Sequence, residues 1–145
     1  MNPIEVLKEQ HEEIDMELME IESVISENEI NYSNLIHSFV RLCKLWDNHE
    51  KKEDKIFSIM EKERILMPVY TMTCEHKTLR EHINKIKEAI NSGSDLKLKD
   101  CFDKDLKKFI EKIRAHKNSE DEVLYTIALE EFTTEELEEM GKALE

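Results

Sequence analysis

Six side chains in this sequence can do chemistry together: His11, His49, Glu53, His76, His116 and Glu120. Each occupies a place where the surrounding periodicity asks for an apolar residue. Burying an imidazole or a carboxylate costs several kcal/mol unless something compensates it. Imidazole nitrogens beside carboxylate oxygens suit iron, manganese or zinc, whereas calcium and magnesium prefer oxygen alone. A tetrahedral zinc ion needs four ligands, and six donors exceed that. Two glutamates able to bridge fit two metals roughly 3.5–4 Å apart, each with two histidines and an open position. The Glu-x-x-His pairs of ferritin-like dimetal bundles do not occur. Two other readings stay open here: a polar network that sets helix register without metal, and a zinc or mixed-metal site.

Positioning those donors takes helices. Asn2-Pro3 reads as a cap followed by Pro at the first helical position. Glu27–Asn31, Pro68 after Ile65-Leu66-Met67, and Asn91–Asp95 read as breaks, and Thr133–Glu136 as a capping box. These signals predict long helices over 3–28, 32–62, 69–91 and 95–130, and a short last one over 134–144. Along each long helix the seam residues recur in alternating steps of three and four. The fourth, for example, runs Phe109, Ile113, His116, Glu120, Val123 and Ile127. Four such helices with short connections predict an all-α fold, an antiparallel up-down four-helix bundle with a short C-terminal fifth helix, as one domain over 1–145.

Up-down geometry tests whether the six donors meet. Residues level with each other on successive antiparallel helices lie equidistant from the loop between them. The sequence midpoint of His11 and His49 is Ile30, inside the first break. That of His49 and His76 falls between Lys62 and Glu63, and that of His76 and His116 is Leu96, beside the second and third breaks. All four histidines therefore share one height. Each Glu follows its His by one turn on the same face.

Composition excludes several functions. Twenty-one basic against 34 acidic residues give a net charge of −13, a surface that repels phosphate backbones and anionic lipid. Nucleic acid and membranes are not expected partners. No apolar run approaches the ~18 residues of a membrane span. The segment MNPIEVLKEQHEE has neither a basic nor an apolar stretch of a secretion signal, so a cytoplasmic protein is expected. Cys43, Cys74 and Cys101, an odd and scattered set, fit a reducing compartment and packing against the core.

The pattern resembles the hemerythrin-like (HHE cation-binding) domains. An early His11 is followed by His49-x3-Glu53, Glu75-His76 and His116-x3-Glu120 in successive helices, and Ile56-Phe57 and Glu120–Tyr125 are also similar to that family. The resemblance implies a non-haem di-iron centre, two Fe ions with oxo or hydroxo and carboxylate bridges, with Zn or Mn as alternatives. It also implies a small diatomic ligand or peroxide as partner. Oxygen carriers of the family have a fifth histidine in the third helix; Met72 and Arg80 stand at the corresponding places. They also use His-x4-Asp in the fourth, which Asp121 satisfies, although the seam favours Glu120. With four histidines the site is more similar to iron- or oxygen-responsive and nitric-oxide-stress members than to carriers.

The function expected is binding of, or reaction with, O2, NO or peroxide in sensing, stress response or iron handling. The alternatives are a di-iron oxidoreductase reducing peroxide or nitric oxide and a metal-gated domain that binds a protein partner. No seam residue is an evident proton donor for the oxidoreductase. Asp15, one turn after His11, is a candidate to orient that imidazole. Glu50 is expected in solvent, His37 and His82 off the stripes. Trp46, Met60, Met72 and Leu79 flank the donors as a dry wall. Tyr70 and Tyr125 reach the site only if their helices rotate from this phase, and they are set aside.

Overall fold

The computed structural model of the protein describes residues 1–64 and 67–145. Ile65 and Leu66, at the second break expected from the sequence, lie outside the described residues. Six α-helices follow one another: α1 (Pro3–Ile25), α2 (Tyr32–Glu63), α3 (Val69–Asn91), α4 (Asp95–Ser119), α5 (Tyr125–Glu131) and α6 (Thr134–Gly141). A π-helical turn over Glu120–Leu124 joins α4 to α5, and a 3-10 turn over Lys142–Leu144 follows α6. The starts of α1, α2, α4 and α6 are set by side-chain caps, each worth about 1 kcal/mol. Asn2 accepts from the Ile4 amide, Asn31 from Asn34 and Ser94 from Lys97. Thr133 and Glu136 form the reciprocal capping box expected at the last helix.

Helix α1 packs on α2, α2 on α3, α3 on α4 and α4 on α1, closing an antiparallel four-helix bundle. Helix α6 folds back over the ends of α1 and α2. That return needs Gly141: a Cβ there would stand 1.9 Å from the Met1 carbonyl oxygen. Among the described residues, no helix is long and apolar enough to cross a membrane.

The buried apolar residues fall into two clusters. One runs from Ile14, Trp46 and Ile113 towards Leu35 and Phe102; the other gathers Ile4, Leu7, Phe57, Met60, Leu124 and Leu137. Between them lies a buried polar layer of His11, His49, Glu53, His76, His116 and Glu120.

The fourth helix departs from expectation. It is not one α-helix over 95–130, because the backbone N–H of Tyr125 bonds the carbonyl of Glu120 in an i→i+5 turn. Such a turn takes in one extra residue and rotates everything after it by about 100°. Val123, expected in the seam, is therefore 49% exposed, while Leu124, Tyr125 and Ala128 turn inward. The first helix also stops at Ile25, short of the 28 expected.

Candidate metal centre

The six donors predicted from the seams converge on one point. Glu53 Oε1 lies 2.8 Å from His76 Nε2 and Glu53 Oε2 lies 3.3 Å from His49 Nε2. Glu120 Oε1 lies 3.2 Å from His11 Nε2 and 3.1 Å from His116 Nε2. Each carboxylate thus faces one imidazole from α1–α2 and one from α3–α4. His11 Nε2 and His49 Nε2 are 3.0 Å apart. All six side chains are buried.

The imidazoles are aimed from behind. His49 Nδ1 donates to Gln10 Oε1 at 2.9 Å, His76 Nδ1 to Asp54 Oδ1 at 3.1 Å, and His11 Nδ1 to Asp121 Oδ1 at 2.9 Å. His116 Nδ1 donates to Glu75 Oε2. Every acceptor is a sequence neighbour of one inward donor yet serves the histidine of the next helix. The links run α1 to α2, α2 to α3, α3 to α4, and from the π turn back to α1, a closed ring. A neutral imidazole whose Nδ1 carries the proton has a bare lone pair on Nε2. With all four imidazoles neutral, their Nε2 lone pairs point at the same small space.

Protons alone satisfy that space poorly. The contacts of Glu120 Oε1 with His116 and His11 are close but not aligned as hydrogen bonds, so both Glu120 oxygens and His116 Nε2 are buried without a hydrogen-bond partner. Burial, with His49 beside it, pushes His11 down to about 4. Burial also opposes charge on His76, but hydrogen bonds to Asp54 and Glu53 outweigh it and raise its pKa to about 9. Glu53 is buried too, yet its contacts with His49 and His76 hold it well below the usual carboxylate range. Burial and the negative Glu53 push the Glu120 carboxyl well up. Without added positive charge, each carboxylate opposes ionisation of the other. Cations resolve the conflict. Metal–donor bonds of ~2.1 Å at right angles set neighbouring donors ~3 Å apart, the spacing seen here. Two donor groups within the required reach exist among the described residues, His11-His49-Glu53-Glu120 and Glu53-His76-His116-Glu120. They share both glutamates, so the side chains fit two ions. A third group, Glu50, Asp54 and His76, lies behind the layer. There an Arg80 guanidinium nitrogen 2.7 Å from Glu50 Oε1 already supplies positive charge.

Several expectations are corrected. Tyr125, set aside on phase, is fully buried at the centre, its hydroxyl donating to Glu53 Oε2 and lying 3.2 Å from His11 Nε2. The centre therefore does hold a proton donor. Glu50 is buried against Arg80 rather than solvated. Asp15 pairs with Lys117 at 2.6 Å, and Asp121 takes the role of orienting His11. Cys43 and Cys101 pack in the core, but Cys74 is exposed. The dry wall is present: the Trp46 ring lies 5.6 Å from His49 and His116 and 5.7 Å from His76. His37 is exposed and His82 half-buried, both away from the cluster.

Two cavities approach the layer between α3 and α4. One of about 140 Å³ is bordered by Met72, Glu75, His116, Glu120 and Val123. The other, about 330 Å³, is bordered by Glu75, Leu79, Lys112 and His116. No curated protein and no solved structure matches the chain. Residues 2–128 match the family model of the hemerythrin HHE cation-binding domain, so the chain with this buried His/Glu layer belongs to that family.

Proposed function

We propose that the chain works as a single di-iron domain. His11 and His49 hold one ion, His76 and His116 the other, and Glu53 and Glu120 bridge them; zinc or manganese are the competing occupants. The centre binds or reacts with O2, NO or peroxide in sensing, stress response or iron handling, in a reducing compartment consistent with three unpaired cysteines. One observation carries this reading: four inward Nε2 atoms and two carboxylates share a buried space in which both Glu120 oxygens and His116 Nε2 find no hydrogen-bond partner.

When bound, iron supplies exchangeable ligand positions and electrons for a small molecule. The chain's own groups do the rest. Trp46, Met72 and Leu79 exclude water, and the outer acceptors fix each imidazole. Glu75, half-buried between the two cavities, holds the Nδ1 proton of His116. Tyr125 holds a proton at Oη beside Glu53. Met72 lines a cavity and Arg80 engages Glu50, so neither supplies the third histidine that an oxygen carrier places on one ion. Two histidines per ion favour ligand exchange over storage.

The test is metal content and the near-ultraviolet spectrum of protein purified without oxygen, before and after air. Two irons per chain and oxo-bridge charge-transfer bands on exposure are expected. Metal-free protein from iron-replete cells, unchanged by chelators, would overturn the proposal, and an oxy-spectrum reversible over repeated O2/N2 cycles would reassign it to a carrier.

A further inference from the structure

Tyr125 reaches the centre only through the π turn, a conformation that interrupts the regular α-helical bonding and is concentrated at functional sites. Its ring is held on both faces, stacked on His11 at 5.1 Å between centroids and on Phe57 at 6.0 Å. Its hydroxyl is thereby fixed 3.2 Å from His11 Nε2 and in contact with Glu53 Oε2. A hydrogen bond to Glu53 accounts for the second contact but not for the first. The Oη–Nε2 spacing instead equals the spacing of His11 from Glu120 Oε1, 3.2 Å, and approaches that of His11 from His49, 3.0 Å. Two donors on one ion at right angles stand ~3 Å apart. Oη therefore adjoins two of the four donors, His11 and Glu53, that converge with His49 and Glu120 on one point. Among the described residues no phenol contacts His76 or His116, and that side borders the cavities between α3 and α4.

We propose that Tyr125 is a ligand to the ion held by His11 and His49, bonded through its phenol oxygen when that ion is ferric. Phenolate is a hard oxygen donor of the kind that trivalent iron takes. As the O–Fe bond forms the phenol O–H bond breaks, its proton leaves to solvent, and no electron changes hands. The two positions then differ: one is filled by protein donors and the other keeps its open place towards α3 and α4. This assignment rests on the dimetal reading above.

The experiment loads the full chain with ferrous iron without oxygen, admits air, and records the visible spectrum. Wild-type protein should show a phenolate-to-ferric charge-transfer band, with tyrosine ring modes enhanced in resonance Raman spectra excited within it. Tyr125→Phe, which keeps the ring and its stacking, should lose the band entirely while retaining two irons per chain. Tyr70→Phe, removing a phenol that is 81% exposed, should leave it unchanged. Iron with oxo-bridge bands but no visible band in the wild type overturns the ligand assignment and leaves the dimetal centre standing. A band surviving Tyr125→Phe does the same. Wild-type protein that takes up no iron overturns both.

Discussion

The two histidine pairs are built alike and supported differently. His11 and His49 are backed by one carboxylate, Asp121, and one neutral amide, Gln10. His76 and His116 are backed by two carboxylates, Asp54 and Glu75. A carboxylate behind an imidazole makes its inward nitrogen a stronger donor. The pair backed by two carboxylates is also the one beside the cavities between α3 and α4, while His11 of the other pair is stacked against Tyr125. Carboxylate backing and access thus fall to the same half.

The largest effect is expected where the halves meet. If the proposed di-iron assignment holds, Glu53→Ala or Glu120→Ala removes a bridge from both and should reduce iron from two per chain to one or none. Glu50→Ala, which releases the half-exposed Arg80 and a 3.8 Å contact with His76 Nδ1 outside the inward donor set, should leave metal analysis unchanged. Full iron in both bridge variants would sink the shared assignment.

Without metal, His76 and His11 should respond to pH in opposite directions. His76 is raised from 6.5 to about 9, so its contribution is complete below pH 6.5 and lost as pH climbs to about 9. His11 is lowered from 6.5 to about 4, so stability falls as pH drops across that window. Each shift corresponds to of order 3 kcal/mol. Urea midpoints of the metal-free chain should show both limbs, with His76→Gln flattening the alkaline one and His11→Gln the acid one. Parallel profiles in the two variants would abolish the distinction.

Smaller effects should separate the halves further. Gln10→Ala should weaken metal at the His11/His49 position alone, and Glu75→Ala at the other alone, each by roughly 10–100-fold. Competitive titration with a chromogenic chelator reads this; equal loss of both ions from either variant would show one indivisible centre. Smallest is access. Val123 is exposed at the rim of the 140 Å³ cavity, and Val123→Trp should slow NO association several-fold with iron content unchanged.

Most of the bundle was legible because a seam is a statement about period, and period is written in one residue after another. The six inward donors stood out as polar residues within an apolar stripe, and their common height followed from chain lengths. The outer acceptors were harder to read. Gln10, Asp54, Glu75 and Asp121 each adjoin an inward donor in sequence, yet each serves another helix, and which one depends on packing. Asp15 was a candidate partner for His11 by its one-turn spacing alone, and Lys117 engages it instead. Glu50 looked solvated because a heptad does not reveal an arginine on the facing helix. The π turn left no compositional trace. It is an extra residue accommodated by backbone bonding, and it alone moved Val123 outward and Tyr125 to the centre.

The closed ring of Nδ1 links divides naturally at the connection between α2 and α3. The first hairpin, α1 with α2, brings two imidazoles, one bridge and one internal link, from Gln10 to His49. The second, α3 with its continuation past α4, brings the same set, its internal link being Glu75 to His116. Each carries one unmatched acceptor and one unmatched imidazole, and these are complementary across the join: Asp54 with His76, Asp121 with His11. A chain severed at that connection would yield two fragments with matching halves of one lock. Such fragments should find each other when co-expressed, and neither should capture iron alone.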